Sequence, residues 1–172
     1  VREFLLDWAK ERNIEAFTDK TGNVIMRVPA TPGYENKKGI VFQGHMDMVP
    51  QKNADTVHDF ENDPIETYVD GDWLRAKGTT LGADNGIGVA LAMSMLESKD
   101  IQHGPLELLA TYDEETVMTG AMLLEPGILK GEILINLDSE EEGELCIGCA
   151  GGLDATAYDE YQRKPMPENH LC

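Results

Sequence analysis

Apolar positions along the chain switch between two periods, and the switching predicts helices and strands in mixed order. Val1, Phe4, Leu5, Trp8 and Ala9 recur at spacings of three and four, which predicts an amphipathic helix over 1–13 with that stripe on a core. Strands are expected at 14–18 and 23–28 with Thr21-Gly22 turning between them, and after a proline- and glycine-bearing loop at 39–43. Segments 65–69 and 73–76 alternate around Asp70-Gly71, a two-residue hairpin signal. Residues 86–98 set Ile87, Leu91 and Met95 on one helical face beside several alanines, which predicts a well-buried helix. Beyond it come a strand at 106–112, a short helix at 119–124, a strand at 132–137 and a further extended piece at 143–149. The pattern predicts an α/β fold, a mixed sheet flanked by helices, with the main boundary at Gly151-Gly152.

A chain of 172 residues without internal repeats accommodates one domain with a sizeable core. Its acidic surplus, a formal charge of −18, repels phosphate backbones, excludes nucleic acid as a partner and suits cations. No apolar run approaches the roughly 18 residues of a membrane span, and the first residues lack a signal peptide's regions, so no membrane partner is expected. The chain begins at Val1 rather than methionine, which leaves an upstream segment open. Three cysteines, Cys146, Cys149 and Cys172, do not form a disulfide framework; they point to a reducing cytoplasm and to buried, inert thiols.

Three expected strands are each followed at once by imidazole or acid groups. His45 and Asp47 follow the first, Asp113, Glu114 and Glu115 the second, and Asp138 with the acids up to Glu142 the third. In open α/β sheets ligands bind outside the carboxyl ends of the strands, so these groups are expected to converge on one crevice. Asp84 joins them from Gly82-Ala83-Asp84-Asn85-Gly86, just before the buried helix, where its bland alternative is a helix cap. One imidazole with several carboxylates suits zinc, with manganese or cobalt as alternatives, and a pair of such ions needs a bridging carboxylate, for which Asp84 is the candidate.

The run from Gly44 to Asn53 (GHMDMVPQKN), Thr56-Val57-His58-Asp59-Phe60, the run from Gly78 to Gly86 (GTTLGADNG), Glu114-Glu115, and the run from Asn136 to Glu144 (NLDSEEEGE) resemble aminoacyl-histidine (Xaa-His) dipeptidases. These belong to the di-zinc metallopeptidase superfamily that includes carboxypeptidase G-like and succinyl-diaminopimelate-desuccinylase-like enzymes. His-x-Asp, the bridging aspartate and Glu-Glu mark that superfamily, whereas Met-Val-Pro-Gln-Lys-Asn and Asp-Ser-Glu-Glu-Glu-Gly mark the dipeptidase branch. The resemblance implies a hydrolase, a metallopeptidase that cleaves Xaa-His dipeptides such as carnosine with two divalent metal ions, usually zinc. It implies that His45, Asp84 and Asp138 hold one ion, that Asp84 and Glu115 hold the second, and that a water bridging the ions attacks the peptide carbonyl. Glu114 would be the general base, and Asp47 would accept a hydrogen bond from His45 without touching metal. A cis peptide between Asp84 and Asn85 is implied as well.

The resemblance implies a catalytic domain over 1–150, present in part, and over 151–172 the beginning of a lid and dimerisation domain or a disordered tail. The family is homodimeric and takes a further histidine for its second ion from far downstream. His58, His103 and His170 gain no ligand role from the resemblance, so a non-catalytic, metal-binding scaffold is the alternative for this chain. Two other readings compete. Asp138, Glu140, Glu142 and Gly143 imitate the start of a calcium loop, but Cys149 stands where a glutamate is needed. Cys146-Ile147-Gly148-Cys149 could be a redox pair or half a zinc site, but no second pair follows and the helix start that lowers a thiol pKa is not expected there.

Overall fold

The computed structural model describes residues 1–139, 141, 143–148, 151–153 and 155–162. Its elements are α1 (Arg2–Glu11), β1 (Glu15–Thr18), β2 (Val24–Val28), β3 (Ile40–His45), β4 (Thr67–Asp70), β5 (Trp73–Ala76), α2 (Ala83–Glu97), β6 (Leu106–Thr111), α3 (Glu114–Val117), α4 (Thr119–Met122) and β7 (Ile133–Asn136). Five strands form one sheet in the order β1-β2-β6-β3-β7, and β4 and β5 form a separate hairpin. β6, β3 and β7 run parallel, and β1 and β2 join antiparallel at the β6 side. The expected α/β class is what the structure shows.

Side-chain alternation divides the sheet into two faces. On one, Val24, Met26, Phe42, Leu106, Leu108 and Ala110 pack with Leu5 and Ala9 of α1 and Val89, Ala92 and Leu96 of α2. On the other, Ile25, Val41 and Leu109 pack under Leu124, Ile128 and Leu129, which follow α4. β6 is buried along its whole length because both of its faces are covered, which explains why it is apolar apart from Glu107 and Thr111.

α1 buries part of the stripe its spacing predicts, Leu5 and Ala9 with Trp8 packed beside them, whereas α2 buries a different one. In α2 the buried residues are Asn85, Gly88, Val89, Ala92 and Leu96, while Ile87 is 70% and Leu91 51% exposed. The helix is apolar around most of its circumference, so period alone does not choose a face. Small residues do: a Cβ on Gly88 would lie 2.5 Å from the Leu137 carbonyl oxygen, so only a glycine lets the helix approach the end of β7 this closely. In α1, Leu5 and Ala9 are buried, but Val1 and Phe4 are exposed.

The hairpin forms as expected with its turn one residue later: Asp70 pairs with Trp73, and Gly71 takes φ +61° at the first loop position. The segment 114–117, expected only as an acidic stretch after a strand, is a helical turn. The contacts divide the chain into two units, Val1–Glu140 and Glu141–Cys172. In the second, no described residue lies in a helix or strand, so no strand is found at 143–148. Cys146 is exposed rather than buried, as are all of residues 143–148. Glu140, Glu142, Cys149, His170 and Cys172, on which the calcium-loop, redox-pair and tail readings rest, lie outside the described residues.

Candidate metal centre

β3, β6 and β7 are parallel, so their carboxyl ends lie side by side and the segments leaving them share one edge. Pairing of His45 with Thr111 and of Gln43 with Asn136 sets the register at that edge. His45, the last residue of β3, is 1% exposed. Its Nε2 lies 2.9 Å from Asp84 Oδ1, 3.5 Å from Asp138 Oδ1 and 4.0 Å from Glu114 Oε2. Three chain segments thus bring carboxylates to one buried imidazole.

Asp84 sits at the entry to α2, where it and Asn85 have non-helical backbone angles. The helix cap position is Gly82, at φ +78°, and among the described residues no side chain caps this helix; the Asp84 carboxylate is turned to His45 instead. The Asp84-Asn85 peptide is cis, as the resemblance implies. The other ring nitrogen of His45 has its shortest contact, 3.0 Å, with the backbone carbonyl of Asp47, and the Asp47 carboxylate stands at 3.5 Å. That carboxylate accepts hydrogen bonds from the N–H groups of Glu114 and Glu115 at 3.1 and 3.0 Å. Asp47 therefore ties the loop after β3 to the start of α3, besides facing His45. Asp113, with φ +60°, turns the chain between β6 and α3 and is held by the hydroxyls of Thr116 and Thr119.

The electrostatics reflect crowding of like charge. Burial pulls the pKa of His45 down, but its hydrogen bond to Asp84 and the charges of Asp138 and Asp47 outweigh that and leave it raised. Glu114 is raised by burial and by Asp138, Glu115 and Asp47, against the opposing pull of His45. Asp138 is raised by burial and by Asp84 and Glu115, again against His45. In each case neighbouring carboxylates favour the protonated form of the group they surround.

Among the described residues two groups have ligand atoms close enough to share an ion: His45 with Asp84 and Asp138, and His45 with Glu114 and Glu115, all within 4.8 Å. An imidazole and carboxylates are a hard-to-borderline donor set that fits zinc, manganese or cobalt. Glu115 here groups with His45 and Glu114; Asp84 belongs to the first group alone. All six of His45, Asp47, Asp84, Glu114, Glu115 and Asp138 thus meet at one edge. His58 and His103 belong to neither group.

One participant was missed from the sequence. Asn85 is 5% exposed, accepts the N–H of His45 at 3.2 Å and donates to the Leu137 carbonyl at 2.7 Å. The available signal was a carboxamide in an otherwise small and apolar run, beside the candidate bridging aspartate.

The stretch that carries these residues is similar to known proteins. The profile of Peptidase family M20/M25/M40 matches residues 41–161. The chain is 53% identical over 165 residues to the cytosol non-specific dipeptidase of Escherichia coli (strain K12), covering 96% of this chain and 34% of that protein. In structure it is similar to aminoacylhistidine dipeptidase from Vibrio alginolyticus, with a TM-score of 0.79 and 60% identity over 83% of this chain and 29% of that one. Aminopeptidase PepT from Bacillus cereus ATCC 10987 matches with a TM-score of 0.66 and 26% identity, over 81% of this chain and 37% of that one. The chain spans about a third of the length of these relatives.

Proposed function

We propose, from the premise that this chain belongs to peptidase family M20/M25/M40, that the protein containing it hydrolyses dipeptides, Xaa-His dipeptides such as carnosine among them, with two divalent metal ions. The observation that carries the proposal is the convergence of Asp84, Asp138 and Glu114 on the buried imidazole of His45. His45, Asp84 and Asp138 would hold one ion, and Asp84 with Glu115 the other, probed first as zinc. When bound, the ions would supply the positive charge that activates a water and polarises the peptide carbonyl. Glu114 would take the proton of the attacking water and return it to the leaving amine, a task that its raised pKa suits. Asp47 would keep His45 oriented and fix the backbone of Glu114 and Glu115 through their N–H groups.

The named relatives include a non-specific dipeptidase and an aminoacylhistidine dipeptidase, so breadth of substrate is the finer question. We place the protein in the cytoplasm, following the cytosolic relative; no helix among the described residues is long and apolar enough to cross a membrane. Residues 151–172 would open a lid and dimerisation domain of a homodimer. Zinc content and hydrolysis of a dipeptide panel including carnosine, before and after chelator treatment, test the reading on the full-length protein. The expected result is bound divalent metal and hydrolysis that is lost on chelation and regained with zinc. Full-length protein that takes up no divalent ion and cleaves no dipeptide would exclude it. For the 172 residues alone, a non-catalytic metal-binding scaffold is the second reading, favoured by their span of a third of the relatives.

A further inference from the structure

We propose that Asn85 is a positioning residue that sets the spacing of His45, Asp84 and Asp138; this rests on the reading of those three as metal ligands. The parallel ladder between β3 and β7 ends at Gln43 and Asn136, with one last bond from the Leu137 N–H to the Gln43 carbonyl. Beyond it the two strands diverge towards His45 and Asp138. The Asn85 carboxamide fills that gap, its Oδ1 accepting from the His45 N–H and its Nδ2 donating to the Leu137 carbonyl. Each bond falls at, or next to, a ligand: His45 itself, and Leu137 before Asp138. The third ligand, Asp84, directly precedes Asn85 in the chain. One side chain thereby joins all three segments.

The surroundings are shaped for an amide. A Cβ on Gly44 would collide with Asn85 Oδ1, and a Cβ on Gly88 would lie 2.7 Å from both terminal atoms of the carboxamide. Two glycines therefore leave a slot in which only a short side chain fits. Asparagine offers an acceptor and a donor on two separate atoms of a short side chain, matching one N–H on one strand and one C=O on the other. A longer amide has no room, and an aliphatic residue would leave both backbone groups unpaired in a buried place. A residue that only filled the core would be satisfied by packing, whereas these bonds fix relative positions across the diverging strands.

The test uses full-length protein stripped of metal, probed with zinc in competition with a chelator and with cobalt by its visible absorption. Asn85→Ala is expected to lower affinity for the divalent ion by about 10- to 100-fold, the usual cost of losing support to a ligand, and to alter the cobalt bands. Asn85→Ser, milder towards folding, is expected to shift both in the same direction. Ile25→Ala, a truncation in the core on the opposite face of the sheet, is expected to lower stability while leaving affinity and spectrum unchanged. Folded Asn85 variants with unaltered affinity and spectrum would overturn the proposal. So would an equal loss in Ile25→Ala, which would make the effect one of stability alone. Unsubstituted protein that takes up neither ion would instead overturn the metal-site reading and this inference with it, a result recognisable without any variant.

Discussion

Glu107 and Asp138 are both carboxylates at an end of the central sheet, and their surroundings are opposite. Glu107, near the amino ends of the parallel strands, is 3% exposed and fully supplied with donors. Its Oε1 accepts from the N–H groups of Lys130 and Gly131 at 2.7 and 2.6 Å, and its Oε2 from Arg27 at 3.0 Å. Arg27 in turn reaches Glu15 and the Ile128 carbonyl. At the carboxyl ends, Asp138, Asp84, Glu114 and Glu115 gather on a single imidazole. The amino end is closed: the buried charges of Glu107 and Arg27 have their counterparts within the chain. The carboxyl end is short of positive charge, and Glu114 and Asp138 respond by holding protons more tightly. A cation supplied from solution would complete what Arg27 completes at the other end.

Glu114→Gln gives the largest separation of the two ends. The amide keeps the side chain's size and its place beside His45 but cannot accept a proton. If Glu114 is the general base, kcat of the full-length protein falls by about 10² to 10⁴, or about 3 to 5 kcal/mol in barrier height, while the dipeptide's KM changes little. Metal content measured alongside should stay as in the unsubstituted protein. A kcat within a few-fold of the original would remove Glu114 from that role.

Glu107→Ala attacks the closed end and should act on stability instead. It leaves two N–H groups and part of the Arg27 guanidinium without their acceptor, and loss of one partner of a buried pair costs about 3 to 5 kcal/mol. Because Arg27 keeps Glu15 and the Ile128 carbonyl, the lower end of that range is expected. Denaturant unfolding of the full-length protein measures it, and metal bound per folded molecule should not change. Reduced metal binding in the folded variant would show that the two ends are coupled through the sheet.

What could be read from the sequence at each end follows from the range of the interactions. β3 and β6 were legible because both faces are covered, which forces mostly apolar sequences. Metal-ligand candidates were legible because chemistry placed after parallel strands meets at one edge, and here His45, Asp84, Glu114 and Asp138 do meet. The buried face of α2 was not, because an all-round apolar helix carries no periodic signal and Gly88, a residue with no side chain, decides the close approach. Nor were the backbone bonds made by Asp47 and Asn85. A carboxylate taking two N–H groups 67 and 68 residues away, or an amide spanning His45 and Leu137, depends on strand order, which residue types along the chain do not reveal. Glu107 carried no signal at all, a lone acid within an apolar strand whose partners come from β2 and from the loop before β7.

The smallest expected effect is on pH dependence, and it belongs to the open end alone. In metal-free protein His45, Glu114 and Asp138 all have raised pKa values, so the folded state binds more protons than the unfolded one and stability falls as pH rises. For the two carboxyls the loss begins above their ordinary values of 3.8 and 4.5 and is complete above their raised ones. For His45 the gain is full below 6.5 and disappears as pH passes its raised value. Metal competes with those protons, so binding should release them and become more stabilising as pH increases. Thermal melts of metal-free and zinc-loaded full-length protein at about pH 5 and about pH 8 compare the two. The gap between loaded and metal-free melting temperatures should widen at the higher pH, and Glu107→Ala should leave that widening intact, since the carboxylate it removes is already matched by donors of the chain itself.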